Sequence, residues 1–199
     1  MKWQIVTFVT CMVVLYVGVF HIPASADRFS LVYENVQQGE VWRFFTYQFA
    51  HIDLSHLLEN IVGFMLLGVL VYEIGMLPLM FVVVYLLTGI VGALPIWFVT
   101  HATILGASSA VYGGFGVIAY NLPRKYLKTN TLLFAIIAII IFPTMLSLLR
   151  GDVTNTFIAS FIQSLFHLSG LFVGSFLFLA LRKLQPVLQR RKYRCLRGV

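Results

Sequence analysis

Four polar side chains in this sequence are of the types that covalent catalysis needs. Ser108 offers a hydroxyl that can attack a carbonyl carbon, and His167 offers an imidazole that can take its proton. His56 and Asn60 can donate hydrogen bonds to the oxyanion that such an attack creates. No carboxylate lies in the apolar segment that carries His167, so we expect a Ser–His dyad without a third member.

The spacing of these residues favours convergence if their segments are helical. Residues three, four or seven apart share one face of an α-helix. Three such sets occur, namely His56 with Asn60, Ser108 with Tyr112, and His167 with Gly170 and Gly174. Small residues allow close helix contact in membranes, so Gly106 to Gly116 could equally be a packing stretch with an incidental hydroxyl.

Composition identifies the environment of these segments. Of 199 residues, 60% are hydrophobic and only 11% are charged, against about 45–50% and about 25% in soluble domains. The chain is therefore predicted to be a polytopic membrane protein. Its net charge of +7 comes from residues at the ends of apolar segments, so we expect no nucleic-acid partner. Cys11 and Cys195 indicate neither a disulfide framework nor a metal cluster.

Six apolar stretches approach the length of about 17–25 residues that crosses a bilayer. They predict an all-α bundle of six transmembrane helices in a single domain, residues 1–199, with a basic cytoplasmic tail over 182–199. The predicted helices cover residues 3–20, 54–73, 77–99, 106–121, 131–149 and 157–181.

The first segment has an alternative interpretation. It ends in Ala24-Ser25-Ala26, which resembles the cleavage site of a secretory signal peptide. Its apolar run of about 18 residues exceeds the usual core of about 7–15 residues, so we favour a retained transmembrane helix.

Lysine and arginine predict the orientation. With the N-terminus inside, eleven basic residues are cytoplasmic, and only Arg28, Arg43 and Arg150 are outside. The positive-inside rule favours this topology. We therefore expect a multi-pass plasma-membrane protein with both termini in the cytoplasm, whose basic tail binds the anionic inner leaflet. The aromatic-rich outer loop, residues 21–50, is either an interfacial helix or a folded cap without a catalytic role.

Depth along the helices brings the polar residues to one level. Counted from the cytoplasmic helix ends at 1.5 Å per residue, Ser108 lies at about 24 Å, His167 at about 22 Å, Asn60 at about 20 Å and His56 at about 26 Å. All four then lie in the outer half of a hydrocarbon core about 30 Å thick. The segment 106–121 is too short to cross fully, so its N-terminus should begin inside the bilayer, where its free N–H groups could hold an oxyanion.

These residues resemble the rhomboid family of intramembrane serine proteases. The resemblance covers most of the chain, and no single motif carries it alone. Its motifs are Trp42-Arg43, His51 with His56 and Asn60, Gly106-Ala107-Ser108 followed by Tyr112, and His167 with Gly170 and Gly174.

The resemblance implies a function and a set of roles. Ser108 would be the nucleophile and His167 the general base, with Tyr112 packed on the His167 ring and Gly106 and Gly170 in support. His56, Asn60 and the backbone N–H of Ser108 would form the oxyanion hole. Substrates would be single-pass or multi-pass membrane proteins, cut at a small residue where a transmembrane helix unwinds. No metal and no cofactor are implied.

Two positions depart from the family pattern. Ser109 stands where the family has a second glycine, and Phe166 precedes the base where the family has a small residue. Phe166 could face lipid, or it could widen the contact between the helices. These departures motivate a second hypothesis, a catalytically inactive rhomboid-like protein that binds membrane-protein clients. A small transporter or channel is disfavoured because the polar residues stop in the outer half.

The remaining polar residues receive structural interpretations. His51 is expected to support the loop, and a zinc site with Asp53 and His56 lacks the spacing of metalloprotease histidines. Glu59 is expected to pair with a polar group of the outer loop. Gln163 and Ser164 are expected either to hold water or to bond between helices. His21 and His101 are expected to be solvated.

Overall fold

The structure, a computed structural model, describes residues 2–121 and 155–182. Within these ranges the chain is helical, and its only β-type pairing is an isolated antiparallel bridge between Leu31 and Ile104. The outer loop contains α2 (Ser25–Phe29), α3 (Tyr33–Gln37), α4 (Arg43–Thr46) and a 3₁₀ turn (Tyr47–Phe49). The other helices are α1 (Lys2–Phe20), α5 (Leu54–Glu73), α6 (Pro78–Val91), α7 (Leu94–Thr100), α8 (Ser108–Asn121) and α9 (Asn155–Leu181).

Four helical stretches of the described chain are long and apolar enough to cross a membrane. They are Trp3–Phe20, Leu54–Glu73, Pro78–Thr100 and Ile158–Leu181. The chain is thus an all-helical integral membrane protein. The predicted fifth helix (131–149), the basic residues of 124–128 that we expect to be cytoplasmic, Arg150 and the tail beyond Arg182 lie outside the described residues.

The predicted third helix is interrupted. α6 ends at Val91 and α7 begins at Leu94, with Pro95 in the first turn of α7. Proline lacks the N–H that would bond to the carbonyl four residues back, and its ring would clash with that carbonyl, here of Val91. The predicted span over 77–99 is therefore made of two consecutive helices, and together they form the apolar stretch Pro78–Thr100.

A mainly apolar core joins α1, α5, α6 and α8. At its centre the hydroxyls of Tyr16 and Tyr85 are 2.6 Å apart, which satisfies two polar groups where water is excluded. The ring of Phe64 contacts both tyrosines. Together these contacts hold α1, α5 and α6 together at the core.

Helix α8 is central and packs chiefly on α9. At Gly174 of α9, a Cβ atom would overlap the backbone of Gly113 in α8. The two helix backbones therefore approach as closely as small residues permit. α8 has 14 residues, about 21 Å. Of the 13 residues whose burial is described, 12 are buried or half-buried, so α8 is enclosed by the other helices rather than exposed along its length.

The outer loop is held together from inside by Arg43. This residue is only 4% exposed, and its Nη1 donates to the carbonyls of Asp27 and Ser30 at 2.9 and 2.7 Å. Its Nε donates to Glu40, and this bond lowers the pKa of the Glu40 carboxyl. The neighbouring Trp42 is 53% exposed. The short helices of the outer loop are thus linked by the hydrogen bonds of Arg43. The location of this loop at the membrane interface stays a prediction.

Candidate active site

The segment before α8 is fastened to the outer loop by backbone hydrogen bonds. Leu31 and Ile104 exchange both of their N–H···O bonds, at 2.8 and 3.1 Å. Two residues later the N–H of Gly106 donates to the carbonyl of Tyr47 at 2.9 Å. Gly106 has φ +105°, a conformation that L-residues rarely adopt. This turn sets the direction in which α8 begins.

Helix α8 starts at Ser108 rather than at Gly106. At this end of the helix, the N–H of Val111 donates to the carbonyl of Ala107, the residue just before α8, at 3.0 Å. The N–H groups of residues 108–110 therefore have no carbonyl partner within the helix, and they carry the positive end of its dipole. Ser108 itself is half-buried.

His167 lies against the face of α8 that carries Ser108. Its ring stacks on the ring of Tyr112, with centroids 4.2 Å apart and an interplanar angle of 18°. Tyr112 is one helical turn after Ser108 and shares its face. The predicted contact between Tyr112 and His167, which are 55 positions apart in the chain, is therefore present.

The hydrogen bond of the predicted dyad is not formed in this structure. His167 is buried, and neither of its ring nitrogens has a hydrogen-bond partner within the described chain. A buried imidazole without a partner is costly. Catalytic hydrogen bonds are often long or misaligned before substrate binds and tighten in the complex with substrate.

The two predicted oxyanion residues lie beside the start of α8. A Cβ atom at Gly106 would be 2.7 and 2.8 Å from Cε1 and Nε2 of His56, so this imidazole rests directly on the turn. Asn60 is buried, and its Nδ2 donates to the carbonyl of His56 at 2.8 Å. Asp53 caps α5 by accepting from the N–H of His56 at 2.8 Å.

A cavity of about 540 Å³ opens between α5, the loop before α8 and α9. Ser108 and His56 line it, whereas His167, Asn60 and Tyr112 are not among its described lining residues. The other lining residues are Ile52, Asp53, Ser55, Glu59, Ala102, Thr103, Ile104, Leu105, Ser109, Ala159, Ile162, Gln163 and Phe166. The cavity brings the candidate nucleophile and one candidate oxyanion donor to a shared surface.

His51 packs between Tyr16 of α1 and the candidate oxyanion residue His56. It is buried, and its ring packs edge-on against Tyr16 at 5.6 Å and against His56 at 5.2 Å. Burial, and to a smaller extent the neighbouring His56, lower the pKa of His51 to about 4. His51 therefore stays neutral near pH 7 and helps to orient His56 by packing.

The two departures from the family pattern are both buried. The backbone of Ser109 lies directly against Gly170, where a Cβ atom would overlap it. Phe166 is 8% exposed and belongs to a cluster that includes Leu31, Tyr47 and Trp97 beneath the outer loop. A lipid-facing Phe166 is therefore excluded, because the loop and α7 cover that face of α9.

The other polar residues have local partners. Ser164 donates to the carbonyl of Ser160 at 2.9 Å within α9. Glu59 accepts from Ser55, one turn earlier in α5, and it also lines the cavity. His101 is exposed and stacks on Tyr33 at 3.8 Å.

Sequence reasoning missed the apolar wall of the cavity. Ala159, Ile162 and Phe166 form it on α9, at spacings of three and seven residues, and the polar Gln163 lies on the same face. That spacing marks one helix face. The sequence carried this signal, but nothing in the sequence showed that this face borders a cavity.

Comparison with known proteins agrees with this architecture. A family model of the Rhomboid domain matches residues 38–184, about three quarters of the chain. The matched range spans the positions of Ser108, His167, His56 and Asn60. A search of curated protein sequences finds no match. The helices, the buried contact between α8 and α9 and the domain match agree, and the chain belongs to the rhomboid family.

Proposed function

We propose that this protein is an intramembrane serine endopeptidase that uses Ser108 as nucleophile and His167 as general base. The observation that carries the proposal is the stacking of His167 on Tyr112, one turn after the serine that begins α8 at the cavity wall. Membership of a family that includes intramembrane serine proteases supports the same reaction class.

In the first half of the reaction, Ser108 Oγ attacks the scissile carbonyl carbon and its proton passes to His167. The carbonyl oxygen becomes an oxyanion, which accepts from the Ser108 N–H and from the His56 and Asn60 side chains. The Asn60 amide has two N–H groups, so one can serve the oxyanion while the other keeps its bond to the His56 carbonyl.

In the second half, the tetrahedral intermediate collapses and the C–N bond breaks. The leaving amine takes the proton from His167, and the acyl group stays on Ser108 as an ester. A water molecule then attacks the ester and gives a proton to His167. That proton returns to Ser108 Oγ as the new carboxylic acid leaves.

The size of the cavity supports a locally unwound substrate. Its volume of about 540 Å³ accommodates a few residues of extended chain beside Ser108 and His56, which both line it. We therefore expect membrane proteins whose transmembrane helix opens at the cleavage site.

The decisive test is cleavage of a single-pass reporter in proteoliposomes. Wild type should cleave it, and Ser108→Ala should reduce the rate by at least about 10³-fold, as expected for loss of a nucleophile. The neighbouring hydroxyl provides a matched control, because Ser109→Ala should retain cleavage. Equal cleavage by wild type and Ser108→Ala would contradict the assignment.

A fluorophosphonate probe tests the dyad directly. It should attach to Ser108 of wild type, as mapped by mass spectrometry of the labelled peptide, and labelling should be lost in His167→Ala. An adduct on Ser109 instead of Ser108 would show that Ser109 is the nucleophile and would contradict the proposal.

A second candidate is an inactive rhomboid-like protein that binds membrane-protein clients. Two observations favour it: the missing hydrogen bond to His167 and the presence of Ser109 in place of glycine. If cleavage appears only in Ser109→Gly, the native chain is a binder. If wild type cleaves, this candidate is excluded.

A further inference from the structure

Glu59 is a charged residue inside a membrane-spanning helix. The four candidate spans of the described chain contain two residues of the types Asp, Glu, Lys and Arg, and both lie in α5. Glu73 is the last residue of that helix, whereas Glu59 is in its second turn. An ionisable side chain within a span is costly, and such residues usually face a cavity and mark the path of a substrate or an ion.

The structure places Glu59 at the cavity that Ser108 lines. Glu59 is exposed and is itself one of the lining residues. It accepts a hydrogen bond from Ser55, one turn earlier in α5, at 3.4 Å. An ionised carboxylate has about four acceptor sites, so contacts with neighbours in α5 do not prevent it from binding a further donor. Its charge is therefore presented to the space that a substrate chain would enter.

The charge of the cavity lining has one sign. Asp53 and Glu59 contribute carboxylates, and the described lining residues include neither lysine nor arginine. Asp53 already accepts from the N–H of His56 as the cap of α5, so Glu59 is the carboxylate with the larger capacity for a substrate. A cleft lined by one sign of charge, with low-dielectric walls, concentrates ligands of the opposite sign. The apolar wall on α9 supplies such a low-dielectric surface.

We propose that Glu59 is a specificity residue that selects substrates with a lysine or arginine beside the scissile bond. This inference rests on the proposed peptidase function. The substrate ammonium or guanidinium group donates to the Glu59 carboxylate while Ser108 attacks the nearby carbonyl. A basic side chain held inside the membrane needs a counter-charge, because burying an unpaired cation is unfavourable. Glu59 supplies that charge and takes no part in proton transfer.

The consequence is a charge preference, measured as a ratio of cleavage rates in proteoliposomes. Two reporters differ at one residue, which is lysine in one and glutamine in the other, placed in turn at each of the two positions on either side of the scissile bond. Ion pairs of exposed carboxylates change relative rates by about two- to fivefold. At one or more of these positions, wild type should therefore cleave the lysine reporter faster by this factor. Glu59→Gln should bring the ratio close to one.

Charge reversal gives the sharpest form of the test. Glu59→Lys should cleave a reporter with glutamate at the same position faster than the lysine reporter, which inverts the wild-type order because like charges repel. The wild-type ratio should also fall when salt is raised from about 0.1 M to about 1 M, because the Debye length shrinks from about 10 Å to about 3 Å. A role of Glu59 in packing alone would produce neither effect.

Glu73 provides the matched control. It is an exposed carboxylate on the same helix, 14 residues from Glu59, which is about 21 Å. Glu73→Gln should therefore leave the ratio unchanged. A ratio does not depend on the fraction of enzyme that folds. Every variant is compared on the same reporters, so any effect of the added lysine on reporter insertion cancels.

The outcomes separate this inference from the proposed function. A ratio that falls with Glu59→Gln, but not with Glu73→Gln, and inverts with Glu59→Lys supports the inference. A wild-type ratio near one at every position, or an equal ratio in wild type and Glu59→Gln, overturns it. An effect of Glu59 on His56, one turn earlier in α5, would lower the rates for both reporters at a constant ratio, and this result also overturns it. Equal cleavage by wild type and Ser108→Ala contradicts the proposed function instead.

Binding to Ser108→Ala measures the same preference without cleavage. In nanodiscs this variant should bind the lysine reporter about two- to fivefold more tightly than the glutamine reporter, and the double variant with Glu59→Gln should bind both equally. Equal binding by Ser108→Ala itself would overturn the inference. If the preference is present but wild type cleaves neither reporter, the peptidase function fails and Glu59 stays the residue that recognises a basic client.

Discussion

At the scale of single residues, the site depends on how closely side chains approach the turn before α8. Gly106 combines a positive φ with direct contact to the His56 ring. Ser108 follows two residues later, and the proposed base His167 is held by stacking on Tyr112. A hydroxyl, an imidazole and a glycine are thus brought together by ring contacts and one backbone conformation.

We predict that Gly106→Ala abolishes activity beyond its effect on stability. A Cβ at this position strains the backbone, which costs about 1–2 kcal/mol, and it also displaces the His56 ring. Gly39→Ala provides the matched control, because Gly39 has φ +95° but no atom within 4 Å of an added Cβ. Thermal unfolding and probe labelling should be measured on both variants.

Both variants should unfold at a lower temperature than wild type, and only Gly106→Ala should lose labelling by tenfold or more. A Gly39→Ala variant that loses labelling equally would show that strain alone accounts for the loss.

At the scale of elements, the outer loop holds the turn that begins α8. Arg43 fixes the carbonyls of Asp27 and Ser30, and the next residue, Leu31, pairs with Ile104 in the loop before Gly106. One buried guanidinium is thus linked through backbone hydrogen bonds to the start of α8, the helix that carries Ser108. The outer loop is therefore part of the scaffold of the site.

We predict that Arg43→Ala destabilises the protein more than Glu40→Ala. Both substitutions remove the ion pair, but only Arg43→Ala leaves two carbonyls without their donor. Each such carbonyl costs about 1–3 kcal/mol when it is shielded from water. The free energy of unfolding, measured by denaturant titration in detergent micelles, should show this order. Equal losses would indicate that the ion pair alone accounts for the contribution of Arg43.

The same pair predicts a dependence of stability on pH. Because the hydrogen bond from Arg43 lowers the pKa of Glu40 below its ordinary value of 4.5, the pair stabilises the fold above that value. The stabilisation is lost as the pH falls through the lowered pKa. The difference in unfolding temperature between wild type and Glu40→Gln should therefore shrink below pH 4.5. A constant difference across this range would contradict the assignment.

At the scale of the whole molecule, the positive residues at the helix ends predict the orientation in the membrane. The native cysteines allow a direct test. In a Cys11→Ala background, a membrane-impermeant maleimide should label Cys195 only after the cells are permeabilised. With Cys195 also replaced by alanine, a cysteine at the exposed Gln38 should be labelled in intact cells. Labelling of Cys195 in intact cells would reverse the topology.

The sequence alone determined the membrane class, the extent of α1 and α5, and the face shared by Ser108 and Tyr112. Hydropathy and helical spacing depend on neighbouring residues, so they can be read along the chain. The contact between His167 and Tyr112 was implied by the family resemblance rather than by spacing. The interruption between Val91 and Leu94 was not foreseen, although Pro95 was visible as its cause.

Only the tertiary structure decided what surrounds Phe166 and what supports Gly106. Phe166 was expected either to face lipid or to widen a helix contact, and it lies instead in the wall between a cavity and a buried cluster. Gly106 is bonded to Tyr47, 59 positions earlier in the chain. The periodicity of one helix specifies which residues share a face, but not which element covers that face. That choice depends on how α7, α8, α9 and the outer loop pack together.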